Sequence, residues 1–212
     1  MDRAPRPLRL LVALVPLVLT LLAAPSHATG EDASEHRRAT PMQRAAEAYA
    51  VPVSRRVTYS VRTRGRVTAS MKVFRRQAQE TFDHRRGWRT AGVGFRRVRR
   101  GGDFTLVLAA AGTLPSFSSG CSVQWSCRVG RHVVINQLRW ARASPAWNRA
   151  ERSLRDYRHM VVNHETGHWL GLGHASCGGG RAPVMMQQSK GTGSCRFNPW
   201  PLEREAAAVR RR

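Results

Sequence analysis

One stretch of the chain carries side chains at spacings that could assemble a metal-dependent hydrolytic centre. It reads His164-Glu165-Thr166-Gly167-His168-Trp169-Leu170-Gly171-Leu172-Gly173-His174. On a helix, residues four apart lie one turn above the other, so His164 and His168 can offer imidazole nitrogens to one ion. Glu165, beside the first ligand, can reach a water at that ion without binding the metal. Gly171 can take the positive φ that ends a helix and turns the chain, bringing His174 back as a third ligand. Three neutral imidazoles leave an ion its full charge and one corner open, which lowers the pKa of a water there to about 7. Glu165 would take the proton as general base and return it to the leaving amine. Nitrogen ligands also suit nickel, cobalt or copper, so a single Zn2+ is an inference from the ligand set.

Two competing accounts are weaker. With this composition the five fixed residues should coincide by chance in roughly four of 100,000 chains, so unrelated helix-face histidines are a poor explanation. A structural zinc site usually has four protein ligands including cysteine, whereas three histidines leave a position for water.

The pattern H-E-x-x-H-x-x-G-x-x-H followed by a methionine resembles the metzincin clan of zinc peptidases. The methionine candidate lies in Ala182-Pro183-Val184-Met185-Met186-Gln187, and Met185 is preferred to Met186 because it follows a β-branched apolar residue. The resemblance implies that Met185 forms a hydrophobic floor beneath the histidines. It also implies a five-stranded twisted sheet, a long active-site helix beneath the cleft, and an antiparallel edge strand for an extended peptide, placed here within residues 123–128. Some clan members carry a tyrosine two residues after the methionine. Here that position is Gln187, so a tyrosine-assisted mechanism is not supported. More closely, residues 59–201 resemble a bacterial family of exported metallopeptidase-like proteins catalogued as a domain of unknown function.

The elements that must position these groups follow from periodicity. Val57-Thr58-Tyr59-Ser60-Val61 alternates like a strand, and Met71, Phe74, Ala78 and Phe82 make a helical stripe. Residues 93–98 and 104–111 read as strands, the second apolar enough to be central. Residues 121–128 suggest an edge strand, 132–138 another strand, 144–145 a loop, and 156–172 a long helix. Beyond it, glycines and prolines predict an irregular segment. The expected class is α+β: a zincin-like, metzincin-like twisted mixed sheet with a long active-site helix and an irregular C-terminal subdomain.

Composition sets the compartment. Arg3, Arg6 and Arg9 precede a run of about 15 largely apolar residues, short of the roughly 20 needed to span a bilayer. Ser26-His27-Ala28 then offers a cleavage site, so residues 1–28 read as a secretory signal peptide, with an uncleaved anchor as the alternative. Residues 29–55 read as a linker or arm, 56–202 as the metallopeptidase domain, and 203–212 as a basic tail. The arm has no cysteine, which excludes a thiol latch on the metal from that segment. Four cysteines, Cys121, Cys127, Cys177 and Cys195, agree with export. Three pairings can be drawn; the local one, Cys121 with Cys127 and Cys177 with Cys195, closes two short loops and is the expectation.

The formal charge is +23, and only Lys72 and Lys190 among the 36 basic residues are lysine. Outside the cell such charge would favour anionic wall polymers, lipid headgroups or acidic substrates, and nucleic acid is not an expected partner. The sequence thus points to a secreted zinc metalloendopeptidase, a monomer acting on peptide or protein. Its alternatives are a metal-stabilised binding protein for anionic wall polymers and a zinc amidase acting on peptidoglycan.

Overall fold

The computed structural model describes residues 51–212. The segment expected as a leader and most of the arm lie outside the described residues. Strands β1 (Arg55–Arg64), β2 (Val93–Arg97), β3 (Phe104–Ala109), β4 (Cys127–Val129) and β5 (His132–Asn136) form one sheet in the order β2-β1-β3-β5-β4. The pairs β1–β2, β1–β3 and β3–β5 are parallel, and β4 runs antiparallel to β5 at the sheet edge. The helices are α1 (Met71–Asp83), α2 (Gln137–Arg142), α3 (Pro145–Arg149), α4 (Leu154–Trp169) and α5 (Glu203–Arg210). Residues 170–202 hold no helix or strand beyond an isolated bridge between Arg181 and Arg196. This is the mixed-sheet α+β architecture that the periodicities require.

Alternation along the strands builds two cores. Phe104, Leu106 and Leu108 of β3, with Val133 and Ile135 of β5, face the large core beneath α1 and α4. Val107, Ala109 and Val134 point the other way, into a small cluster with Leu114 and Cys121. A strand buried on both faces reads as a continuous apolar run, which is why β3 shows no polar alternation. Helix α1 starts at Ser70, whose side chain accepts from the Val73 amide, and buries Phe74, Ala78 and Phe82. Phe82 stacks on Phe95 of β2 at 4.4 Å and meets Tyr59 of β1 edge-on at 4.9 Å. Ser153 caps α4 by accepting from the Asp156 amide at 3.0 Å, and Asp156 suits the positive end of the helix dipole. Residues 159–167 of α4 are buried without a break. That makes α4 a rigid platform rather than a surface helix.

Several boundaries differ from the sequence-based expectation. The edge strand is Cys127–Val129, overlapping residues 123–128 only at its start. The Cys121–Cys127 disulfide closes a tight loop before it, and Asn136 holds that loop by donating from Nδ2 to the Val123 carbonyl at 2.8 Å. The Ser144-Pro145 loop is instead the start of α3. Ser144 accepts from the Trp147 amide at 3.2 Å, and proline occupies the first turn, where no donor is needed. Helix α4 stops at Trp169, three residues early, because Gly171 takes φ 94°. Residues 203–212, expected as a basic tail, fold as α5 and bury Glu205, Ala206 and Val209. Burial of that apolar stripe against the rest of the fold outweighs the charge of its arginines.

Candidate metal centre

Helix α4 places His164 and His168 one turn apart, and the chain then reverses. The Gly171 amide donates to the His168 carbonyl at 3.1 Å and the Leu172 amide to the Gly167 carbonyl at 3.0 Å. Together these two bonds and the positive φ make a Schellman ending. The turn carries His174 back to the other two, so one ligand atom from each of the three residues lies within 4.8 Å of the others.

The tautomers of two rings are set by their partners. His164 donates from Nδ1 to the Val184 carbonyl at 2.8 Å, and His168 donates from Nδ1 to the Leu172 carbonyl at 2.8 Å. A carbonyl only accepts, so Nδ1 carries the hydrogen and both Nε2 lone pairs face inward. His168 Nε2 lies 3.1 Å from His164 Nε2 and 3.2 Å from His174 Nε2. Lone pairs so close repel unless a cation lies among them. Nitrogens about 2.0–2.1 Å from a tetrahedral zinc would stand about 3.3 Å apart, so the donor set fits such an ion. Burial pushes His164 down to about 3, with His168 adding to the effect, and burial also lowers His168 and His174. All three are therefore held neutral, the form that ligates metal.

Glu165 is 5 % exposed and lines the same cleft, which measures about 580 Å³. Burial pushes its carboxyl up to about 8, while the Arg128 guanidinium pulls it down. A larger groove of about 900 Å³ between α1 and β2 contains no histidine and no such convergence. Of the two adjacent methionines, Met185 is buried and Met186 is half-buried. A Cβ at Gly167 would run into the Met185 sulfur and the Trp88 ring. Glycine between the first two histidines thus admits Met185 against the ligand helix.

The support behind the histidines comes from residues that sequence reasoning missed. Glu205 of α5 accepts from the Val184 amide at 3.1 Å, the Met185 amide at 2.8 Å and the Leu202 amide at 2.7 Å. Val184 in turn receives the His164 ring, and the Ala175 amide donates to the Met185 carbonyl at 3.1 Å. Gln188 donates to the carbonyls of Pro183 and Asn198 and accepts from the Asn198 amide. Asn198 donates to the Ala182 carbonyl at 2.9 Å. The disulfide Cys177–Cys195 closes the segment around these bonds. The local signal for Glu205 was an acid three residues after Leu202, at a position that favours helix starts; its distant role had no local trace.

Comparison with known proteins adds a family. No curated protein matches the chain. Among solved structures, archaemetzincin from Methanopyrus kandleri is similar over 76% of this chain and 97% of its own, at 19% identity and a TM-score of 0.45. Residues 31–203 match the profile of a family described as a protein of unknown function (DUF3152). Because that match runs across most of the sequence and takes in the three histidines and Glu165, the chain belongs to the DUF3152 family.

Proposed function

We propose that this protein is an exported zinc-dependent metalloendopeptidase, with His164, His168 and His174 as ligands and Glu165 as general base. The observation that carries the reading is the convergence of three neutral imidazoles in a cleft that also holds a buried carboxylate. Zinc held by those three rings would supply Lewis acidity for hydrolysis. Glu165, whose burial makes its carboxylate a stronger base, accepts a proton during attack and delivers it to the leaving amine. Met185 supports the ligand helix from below, through the space that Gly167 leaves open. The edge strand β4 can pair with an extended peptide.

Export rests on the N-terminal segment and on two disulfides, which are compatible with an extracytoplasmic protein. Among the described residues no helix is long and apolar enough to cross a membrane. The proposed partners are a peptide or protein substrate and, through the basic face, an anionic wall or membrane surface. The protein is read as a monomer. Zinc analysis with turnover on a peptide library tests the reading. Glu165→Gln should keep one zinc per chain and lose hydrolysis by about 100-fold or more. Retained turnover would remove the base assignment, and a wild-type protein that takes up no zinc would remove the whole reading.

A further inference from the structure

The cleft has a charge pattern that the hydrolytic reading leaves unused. Cys127 and Val129 of β4 pack into the small cluster on the sheet face away from α4. Alternation along the strand therefore turns Arg128 to the opposite face, where it lines the cleft beside His164, Glu165 and His168. Lys190 enters the same cleft from the segment after Met185. Its ammonium donates to Gln187 Oε1 at 3.2 Å, and its amide donates to the Gln187 carbonyl at 2.9 Å, which sets the direction of the side chain. It is one of only two lysines in the sequence. Neither cation forms a salt bridge among the described residues, although Arg128 acts on Glu165 at longer range. Glu165 is the single carboxylate in the lining, and the remaining polar groups are mainly serines and glutamines such as Ser122, Gln124 and Gln187. Two cations free of salt bridges, from two separate segments, thus line the cleft with the candidate metal ligands, in a wall that offers uncharged hydrogen-bonding groups elsewhere.

We propose that the cleft selects acidic peptides, with Arg128 and Lys190 receiving carboxylate side chains of the substrate on the two sides of the bond to be cut. This rests on the hydrolase reading above and names its substrate class. A peptide lying along β4 brings its side chains past Arg128, whose planar fork suits a carboxylate. Lys190 supplies a point charge for a second acidic residue, or for a terminal carboxylate. These are binding contacts made equally in the ground state and the transition state, so they act on KM more than on kcat. A charge-assisted hydrogen bond in a partly desolvated cleft corresponds to about a tenfold preference per contact.

The test uses the zinc-loaded chain and pairs of peptides that differ only in Glu against Gln near the cleaved bond, at fixed physiological salt. The glutamate peptides should be cut with about tenfold higher kcat/KM, the difference lying in KM. Arg128→Gln and Lys190→Gln should each erode the preference. A control that removes the same two charges from the distant groove, Arg75→Gln with Arg96→Gln, should leave it intact. Binding is read separately by titrating the same peptides into zinc-loaded Glu165→Gln and following tryptophan fluorescence, since Trp125 lies in the cleft wall. Equal cutting and equal binding of both peptides, or loss of preference in the distant control, would overturn the proposal and leave the hydrolase standing. Preferential binding lost in Arg128→Gln, with no cleavage of any peptide by the wild type, would support the anion site and sink the hydrolase. Neither binding nor cleavage would sink both.

Discussion

The two walls of the cleft are held together by different means. On the sheet side, β3, β5 and β4 are tied by ladder bonds that need no particular side chain, with Cys121–Cys127 and Asn136 needed only at the loop entering β4, and residues pointing into the cores only have to be apolar. On the other side, residues 170–202 run without helix or strand and are held by buried polar side chains, Asn163, Gln188, Asn198 and Glu205, together with one disulfide. A backbone that cannot satisfy its own donors and acceptors must be satisfied by side chains, each specific to its place. The sheet wall should therefore tolerate substitution, while the irregular wall should fail residue by residue. That asymmetry falls on the histidines, because His164 hangs on the irregular wall through the Val184 carbonyl.

The sharpest way to break the comparison is Glu205→Ala. Three backbone amides lose their acceptor, two of them buried with it, and stability should drop by about 3–4 kcal/mol. Zinc affinity should fall by about 10–100-fold, as when a partner behind a ligand is removed. Hydrogen exchange should show the amides of residues 182–188 opening while those of β3 and β5 keep their protection. Equal opening in both places would mean that the walls form one cooperative unit. Next comes the pair Cys177→Ser with Cys195→Ser, whose sequence separation is 18. The loss should be about 3 kcal/mol on a chain-entropy basis, read by thermal unfolding, again with sheet amides the slower to exchange.

The smallest effect concerns the seam between the walls. His159 of α4 bonds Thr81 Oγ1 of α1 at 2.8 Å through Nδ1, and its ring lies 4.9 Å from that of Trp200. Burial, reinforced by Arg155, pushes it down to about 4, while Asp156 and Glu80 act weakly the other way. Because the folded value lies below the unfolded one, its contribution is whole above about 6.5 and is lost as pH falls toward 4. In a fully dry site that fall would be about 3 kcal/mol; water reaching the ring screens it, so acid should cost about 1–2 kcal/mol through this group. Denaturant unfolding across that window should show a shallower slope for His159→Gln, and an unchanged slope would dismiss the assignment.

Legibility in the sequence follows the same division. Val57 and Tyr59 on β1, the apolar run of β3 and the stripe of α1 announce themselves through period, because each buries a face against whatever lies beneath. The turn after α4 is readable for a local reason, although the helix ends three residues sooner than expected: Gly171 sits where only a left-handed residue can turn the chain toward His174. The three histidines were legible through their spacing alone. Glu205 was not, since its partners Val184 and Met185 lie 21 and 20 residues away across irregular chain, and a charged residue among arginines looks like solvent-facing surface. Arg128 was hidden for another reason. Its strand is only three residues long, too short for alternation to reveal which side faces the cleft. The requirement for Gly167 likewise appears only once Met185 is seen against the helix.

The contact of Glu205 with Val184 and Met185 also imposes an order on biogenesis. All three imidazoles leave the ribosome before the carboxylate that braces them, because that carboxylate belongs to the helix at residues 203–210. An emerging polypeptide therefore carries all three rings while that of His164 still lacks its anchored acceptor. The three-ring arrangement is completed only when the C-terminal helix has docked, so this corner of the fold is the last to set.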